Sequence, residues 1–219
     1  MLAGMKIDFV SDVSCPWCAI GLHALEQALD RVRADGISAT LHLQPFELNP
    51  AMPPEGEEIV GHLTRKYGIT PEQVAANTEA IRQRGASVGF TFGLGKRSRI
   101  WNTFDAHRLL HHAGLISPEA QCRLKHALLR AYFTLGQNPG ARDVLWQAAA
   151  EAGLEAAEVD AVLSSDRHAE AVRERELFYQ QHGIRSVPAI ILNERHLISG
   201  GQPVEVFEQA LRQVAALEG

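Results

Sequence analysis

The chain has 219 residues, of which 46% are hydrophobic, and it carries a formal net charge of −5. This length suits one domain, or one domain with a large insertion, and the apolar content is enough for a sizeable core. The sequence has no long basic run, which argues against a nucleic-acid partner, and no uncharged apolar stretch of membrane-spanning length. The first strand follows the N-terminus without the signature of a secretory signal, so we expect a cytoplasmic protein.

The N-terminal segment predicts a strand, a helix and a second strand. A short apolar run predicts strand one over residues 6–11, and the first helix begins at the cysteine pair of residues 15–18. Gly36 ends this helix, and an alternating pattern predicts strand two over 39–46. One face of the helix is apolar: Cys18, Leu22, Leu25, Leu29 and Val32.

The middle of the chain predicts a block of helices. Residues 49–56 have no periodicity and are interpreted as a linker. Thr70 begins a capping box with a proline in the first helical turn, and residues 85–99 are expected to form an irregular loop. Further helices are predicted over four ranges: 103–114, 117–135, 141–152 and 155–163.

The C-terminal segment returns to a mixed pattern of helices and strands. Asn193-Glu194 is typical of a hairpin turn. The elements predicted around it are a helix over 167–182, a strand over 186–192, a partner strand at 197–198 and a final helix over 204–217.

This order of elements predicts an α/β fold class with a mixed β-sheet. Crossover connections join parallel strands, whereas a tight hairpin forces an antiparallel pair. We expect residues 1–50 and 183–219 to form one α/β domain, bridged by the helix over about 167–182. A helical insertion over 57–166 interrupts that domain.

Cys15 and Cys18 lie two residues apart at a strand-to-helix junction, as thiol–disulfide exchange requires. They can form a disulfide with little backbone movement, and the helix dipole favours the ionised, attacking form of Cys15. We also expect the Cys15 sulfur to cap the helix by accepting from the Cys18 N–H. The rival interpretation is structural zinc, but no second pair exists, and His111 and His112 lie on diverging helix faces. We therefore predict a redox pair and no metal.

Val187-Pro188 lies at the start of a predicted buried strand. Proline cannot donate to a sheet ladder, so its position there needs a reason. One interpretation is an ordinary trans proline. The other is a cis bond beside the two sulfurs, which presents the Val187 backbone N–H and C=O to an extended substrate segment. Together with the cysteine pair and the strand order, the sequence favours the cis bond.

These features together resemble a known family. Cys-Pro-Trp-Cys after strand one, a helical insertion and Val-Pro before a hairpin resemble the DsbA-like branch of the thioredoxin superfamily. Four segments narrow the resemblance to FrnE-type oxidoreductases, near 2-hydroxychromene-2-carboxylate isomerases and kappa-class glutathione transferases: 46–50, 102–109, 131–133 and 199–203. The resemblance covers nearly the whole chain.

The resemblance implies a thioredoxin fold with an all-helical inserted subdomain and a protein-disulfide oxidoreductase activity. Cys15 would be the attacking cysteine, Cys18 the resolving one and Pro188 the cis proline. No bound cofactor is implied; the expected partners are proteins or peptides with thiols or disulfides, or glutathione as a co-substrate, and a homodimer is a reasonable assembly. Ser186 replaces the usual glycine before Val-Pro and is expected to narrow access to that backbone slightly.

Trp17, Asn102 and His107 are further candidate substrate-binding residues. Trp17 is expected to form a flat apolar platform at the helix tip, with a core position as the alternative. In related isomerases the region of Asn102 and His107 borders a small-molecule cleft; the alternative is a helix cap and a partly buried histidine. Cys122 is expected to be a small buried hydrophobic residue and His23 a surface residue.

Two other functions stay open at this stage. One is a glutathione-dependent isomerase or transferase for a small aromatic molecule, although a single serine commonly replaces the first cysteine in those relatives. The other is a non-catalytic holdase, against which the intact pair argues.

Within the redox interpretation, Trp17 stands where periplasmic relatives carry histidine. An indole supplies no cationic partner, so we predict a less oxidising couple than that of DsbA.

Overall fold

The computed structural model describes residues 4–218 of the chain. The strands in this part are β1 (Met5–Ser11), β2 (Ala39–Pro45), β3 (Glu57–Glu58), β4 (Arg99–Ile100), β5 (Ala189–Leu192) and β6 (His196–Ser199). The helices are α1 (Pro16–Arg33), α2 (Ile59–Tyr67), α3 (Pro71–Ser87), α4 (Phe104–Ile116), α5 (Pro118–Leu129), α6 (Arg142–Glu151), α7 (Ala156–Leu163), α8 (Ala169–Gln181) and α9 (Val204–Glu218).

The main sheet has four strands in the order β2-β1-β5-β6. β1 pairs parallel with β2 and antiparallel with β5, and β5 pairs antiparallel with β6, so the sheet is mixed as predicted. β1 is central, with Phe9 placed between Leu43 of β2 and Ile190 of β5. A central strand covered on both faces needs the continuous apolar run that the sequence shows there.

Alternate residues of β1 reach two different cores. Ile7 and Phe9 belong to a large core shared with α1, β5 and α9. Val10 points to the opposite face and packs with Tyr179 of α8. This period of two is the geometry of an extended strand, and it places α1 and α8 on opposite faces of the sheet. β1 therefore ends between two helical layers, and its end leads directly into the cysteine pair.

The helices of the insertion share a core of their own, which includes Leu109, Leu124, Leu128, Leu145 and Val162. Val13, from the turn before α1, also belongs to this second core. Conversely, Leu129, Tyr132 and Phe133 of the insertion belong to the large core beside the sheet. The division into two domains stays a prediction, because apolar contacts cross the expected boundary in both directions.

The insertion is not entirely helical. β3 and β4 form a short antiparallel ribbon, in which Glu57 pairs with Ile100. The sequence did not predict this ribbon, because two-residue strands are too short to show a period of two. The expected irregular loop over 85–99 is also shorter than predicted, since α3 continues to Ser87. α5 does continue as predicted, through a π-helical turn over Arg130–Thr134.

Several local predictions are confirmed. The Thr70 capping box forms, with the Thr70 hydroxyl accepting from the Gln73 N–H and the Gln73 side chain accepting in return. The hairpin between β5 and β6 turns at Asn193 and Glu194, which have positive φ angles of 47° and 61°.

Candidate active site

The cysteine pair begins α1 as the sequence predicts. Cys15 is the N-cap residue in an extended conformation, and Pro16 occupies the first turn, where its missing N–H costs no hydrogen bond. The predicted sulfur cap is wrong. The Cys18 N–H donates to the backbone oxygen of Cys15 at 3.1 Å, and the Cys15 side chain makes no capping bond. The sulfur is left to interact outside the helix.

The Cys15 sulfur contacts the loop before β5. Its Sγ donates to the Val187 backbone oxygen at 3.5 Å, across 172 positions of sequence. The Val187–Pro188 peptide bond is cis, as the sequence favours. Val187 is partly exposed, whereas Pro188 is buried. A partly exposed residue with a cis peptide bond therefore lies directly beside the first sulfur.

Two glycines allow α1 to approach this loop. A Cβ on Gly21 would lie 3.1 Å from Pro188 Cγ and 3.3 Å from Gly201 Cα. A Cβ on Gly201 would lie 2.9 Å from the backbone oxygen of Trp17. The close packing of the first turns of α1 against Pro188 therefore depends on the missing side chains.

The two cysteines have different environments. Cys18 is fully buried, whereas Cys15 retains 4% of its accessible surface. Burial raises the pKa of Cys18 well above its usual value, and the hydrogen bond with Cys15 and the Cys15 charge raise it further. Cys18 is therefore held as a neutral thiol beneath Cys15. This asymmetry is what an attacking and a resolving cysteine need.

Lys125 of α5 is a buried lysine whose charge acts on the pair. Its side chain is 1% exposed, and burial lowers its pKa, while the charges of Cys18, Asp12 and Cys15 raise it. A cavity of about 140 Å³ is lined by Lys125 and His107. The sequence could have indicated this burial, because Lys125 lies among the apolar residues on the buried face of α5, with Leu124 and Leu128.

Asp12 is the polar centre of the turn between β1 and the cysteines. Its carboxylate accepts from Ser14 Oγ at 2.7 Å, the Leu48 N–H at 2.7 Å, Thr103 Oγ1 at 2.8 Å and His107 Nε2 at 3.2 Å. Burial raises the pKa of Asp12, but the hydrogen bond and charge of His107, followed by the bonds from Leu48 and Ser14, hold it well below its usual value. A buried ionised carboxylate thus connects the turn to the insertion.

A model of the DSBA-like thioredoxin domain matches residues 6–212. The chain belongs to this DsbA-like family. The match and the structure confirm the thioredoxin-like fold with an inserted helical region that the resemblance implied. Among the residues described, no helix of this DsbA-like chain is both long and apolar enough to cross a membrane.

Three individual proteins illustrate the range of the DsbA-like relatives. The structure of a probable DsbA oxidoreductase from Streptomyces coelicolor is 33% identical, with a TM-score of 0.87 over 97% of this chain and 90% of that one. A 2-hydroxychromene-2-carboxylate isomerase shares the fold, at 16% identity and a TM-score of 0.69 over 98% and 100% of the two chains. The uncharacterized protein YwbO of Bacillus subtilis (strain 168) is 24% identical over 94% of this chain and 96% of its own length.

The structure brings together some of the predicted site residues of this DsbA-like chain and separates others. Trp17 is 41% exposed at the tip of α1, so the core alternative does not hold. His107 is buried against Asp12 rather than open to solvent. Asn102 donates to the Met52 backbone oxygen at 3.0 Å and accepts from the Phe104 N–H at 2.9 Å, which fits the helix-cap alternative. Substrate binding by Trp17, Asn102 and His107 stays a prediction.

Proposed function

We propose that this chain is a thiol–disulfide oxidoreductase that exchanges disulfides through Cys15 and Cys18. The contact of Cys15 Sγ with the Val187 backbone oxygen, beside the cis Val187–Pro188 bond, carries the proposal. An extended peptide that pairs with the backbone of the partly exposed Val187 brings its own sulfur close to Cys15. Family membership supports the same reaction class.

The oxidising direction has two exchange steps. A substrate thiolate attacks Cys15 of the disulfide form, a mixed disulfide forms, and Cys18 leaves as a thiolate that then takes up a proton. A second substrate thiolate attacks the substrate sulfur of the mixed disulfide. The substrate leaves oxidised, and Cys15 leaves as a thiolate, so the enzyme holds two reduced cysteines.

The reducing direction reverses these steps. The Cys15 thiolate attacks a substrate disulfide and forms a mixed disulfide, and Cys18 then attacks Cys15 and releases the second substrate thiolate. Cys18 must lose its proton for this step, although burial keeps it neutral. The buried ammonium of Lys125 offsets the thiolate charge, because the Lys125 charge lowers the pKa of Cys18.

The proposed substrates are protein or peptide thiols and disulfides, with glutathione as the small co-substrate. The partly exposed residue Val187 beside the cis bond favours an extended peptide, and the exposed Trp17 indole offers that peptide an apolar surface. In the cytoplasmic compartment expected from the sequence, glutathione supplies the electrons for turnover in the reducing direction.

The test is reduction of insulin by glutathione, together with oxidative refolding of a reduced test protein. Cys15→Ala is expected to abolish both activities, and Cys122→Ala is the matched control because that thiol lies outside the pair. Equal activity of Cys15→Ala and the parent protein would rule the proposal out. Glutathione-dependent turnover of a chromene carboxylate that survives Cys18→Ala supports the isomerase alternative instead.

A second measurement addresses the direction of exchange. Equilibration of the pair in glutathione buffers gives its reduction potential, which we expect to lie below about −120 mV, the potential of the strong oxidant DsbA. A protein without a reversible two-electron couple contradicts the proposal.

A further inference from the structure

A second cluster of reactive side chains lies between α1 and α5. His23 and Glu26 are three residues apart on α1, and Cys122 and His126 are four residues apart on α5. Residues three or four apart share a helix face, so each helix presents two of these groups on one side. The proposed redox reaction uses none of them. The sequence placed His23 at the surface, and in the structure the residue is partly buried in this cluster.

Three of the side chains converge closely. One ligand atom each from His23, Glu26 and His126 lie within 4.8 Å of one another. His126 Nε2 lies 2.7 Å from Glu26 Oε1. The rings of His23 and His126 meet edge to face, with centroids 4.9 Å apart. Among residues 4–218, this is the one group of three such side chains with metal-binding spacing.

The surroundings orient these three groups. His23 Nδ1 lies 2.9 Å from the Ala19 backbone oxygen, which cannot donate, so Nδ1 carries the proton of this bond. The lone pair of neutral His23 is therefore on Nε2. A backbone carbonyl that accepts from the other nitrogen is the usual partner of a metal-binding histidine. Cys122 Sγ donates to Glu26 Oε1 at 3.3 Å and so orients the carboxylate as well.

We propose that His23, Glu26 and His126 bind one zinc ion between α1 and α5. Two imidazoles and one carboxylate are a donor set that zinc accepts with the fourth tetrahedral position left open. Magnesium and calcium prefer sets of oxygen ligands, so the two histidines favour a first-row transition metal. Small side-chain movements suffice, because the ligand atoms must come to about 2.0–2.2 Å from the metal.

The cluster also has an entry path. His23 and His126 line a cavity of about 510 Å³ that contains Phe90 on one wall. Arg130 lies on the same cavity, where its charge is paired with Glu151. A partly buried site that opens into this space admits a hydrated ion and leaves the fourth position for water or an anion.

A plain ion pair is the competing explanation of the cluster. It accounts for the contact of Glu26 with His126 but leaves the third group, the oriented Nε2 of His23, without a role. The chain supplies a matched comparison. His62 Nδ1 lies 2.7 Å from Glu57 Oε2, the same separation, in a pair that no third metal ligand joins among the described residues.

The test uses cobalt(II) as a spectroscopic probe in the full-length protein. Cys15→Ser/Cys18→Ser is the background, because a free dithiol itself chelates metal. We expect one cobalt per chain, with the visible bands of tetrahedral coordination, and displacement by zinc. Glu26→Gln and His126→Gln are expected to weaken binding by about tenfold or more. His62→Gln, the control, leaves binding unchanged.

A readout without ligand variants protects the test against misfolding. Zinc is expected to raise the melting temperature of the background protein and to shift the NMR signals of His23 and His126, but not that of His62. Absence of saturable binding at one ion per chain overturns the proposal. Unchanged affinity in folded Glu26→Gln and His126→Gln does the same.

Discussion

His107 Nε2 lies 3.2 Å from Asp12 Oδ1, and both side chains are buried. The contact joins residues 95 positions apart in the sequence, one before the cysteine pair and one on α4 of the insertion. It therefore holds the active-site turn against the inserted helices. Asp12 has no access to solvent that could replace these hydrogen bonds, so the carboxylate depends on its protein partners.

Asp12→Asn is expected to destabilise the protein, because a neutral amide cannot match the bonds that the carboxylate accepts. We expect the free energy of unfolding to fall by about 2–4 kcal/mol at neutral pH.

The same carboxylate makes the stability depend on pH. The pKa of Asp12 is lowered in the folded state, so its contribution to the free energy of unfolding is present above the ordinary value of 3.8 and is lost as the pH falls below it. Denaturant titrations at a series of acidic pH values should show that the free energy of unfolding falls more steeply with decreasing pH for the parent than for Asp12→Asn. Asp143→Asn, at an exposed position, is the control. If the free energy of unfolding has the same slope against pH in the parent and in Asp12→Asn, the prediction is contradicted.

Lys125→Met should separate activity from stability. Methionine has a similar length but no charge, so it removes the cost of burying an ammonium and leaves the free energy of unfolding equal or higher. The same change removes the charge that lowers the pKa of Cys18, so we expect Cys18 to resolve a mixed disulfide about tenfold more slowly. Single-turnover kinetics of insulin reduction measure that step, with the exposed Lys96→Met as control. If Cys18 resolves the mixed disulfide as fast in Lys125→Met as in the parent, Lys125 does not assist Cys18 in this step.

Local patterns in the sequence explain why most of the fold could be predicted. The apolar run of β1 and the stripe of α1 are periodic signals that need no knowledge of distant partners. Pro188 was identified because a proline at a buried strand start needs a reason, and the cysteine pair and the strand order supplied one. In contrast, the Cys15 cap prediction failed because the sulfur donates to the Val187 backbone oxygen; the sequence placed Val187 near the pair but did not show that it would be the partner of the sulfur.

The missed residues share one physical property. Asp12 and Lys125 are charged groups whose burial depends on partners from other parts of the chain. Lys125 on the apolar face of α5 was a visible anomaly, but the sequence alone does not show what compensates it. Asn102 matches a family motif, yet its side chain bonds to the backbone of Met52, 50 positions away, and to the backbone of Phe104.

Gly21→Ala tests the close packing of α1 on the cis-proline loop. In an unconstrained helix, alanine in place of glycine stabilises by about 1 kcal/mol. Here the new Cβ meets Pro188 Cγ at 3.1 Å and the Gly201 backbone at 3.3 Å, so we expect the gain to be cancelled and disulfide exchange to slow. Gly61→Ala is the control, since its Cβ meets only side-chain atoms, of Glu58 at 3.2 Å and of Arg65 at 3.5 Å. Equal stabilisation of both variants, measured by denaturant unfolding, contradicts this account.

Glu47 makes the free energy of unfolding depend on pH in the opposite direction to Asp12. Burial raises the pKa of Glu47 to about 7, and the charge of Glu176 adds to the effect, although Arg173 opposes it. The Glu47 Oε1 atom is buried without a hydrogen-bond partner among the described residues, which fits a carboxyl that is costly to ionise. Because the folded pKa is above the ordinary value of 4.5, this contribution to stability is present below 4.5 and is lost as the pH rises to about 7.

Glu47→Gln keeps the neutral shape at every pH and is expected to remove this loss. The variant should match the parent in free energy of unfolding at acidic pH and exceed it above neutral pH. Denaturant unfolding across this range measures the difference, and Glu170→Gln, an exposed change on the same helix as Glu176, is the control. If the free energy of unfolding depends on pH in the same way for the parent and for Glu47→Gln, Glu47 does not take up a proton in this range. The Glu47 Oε1 atom without a hydrogen-bond partner then needs another explanation.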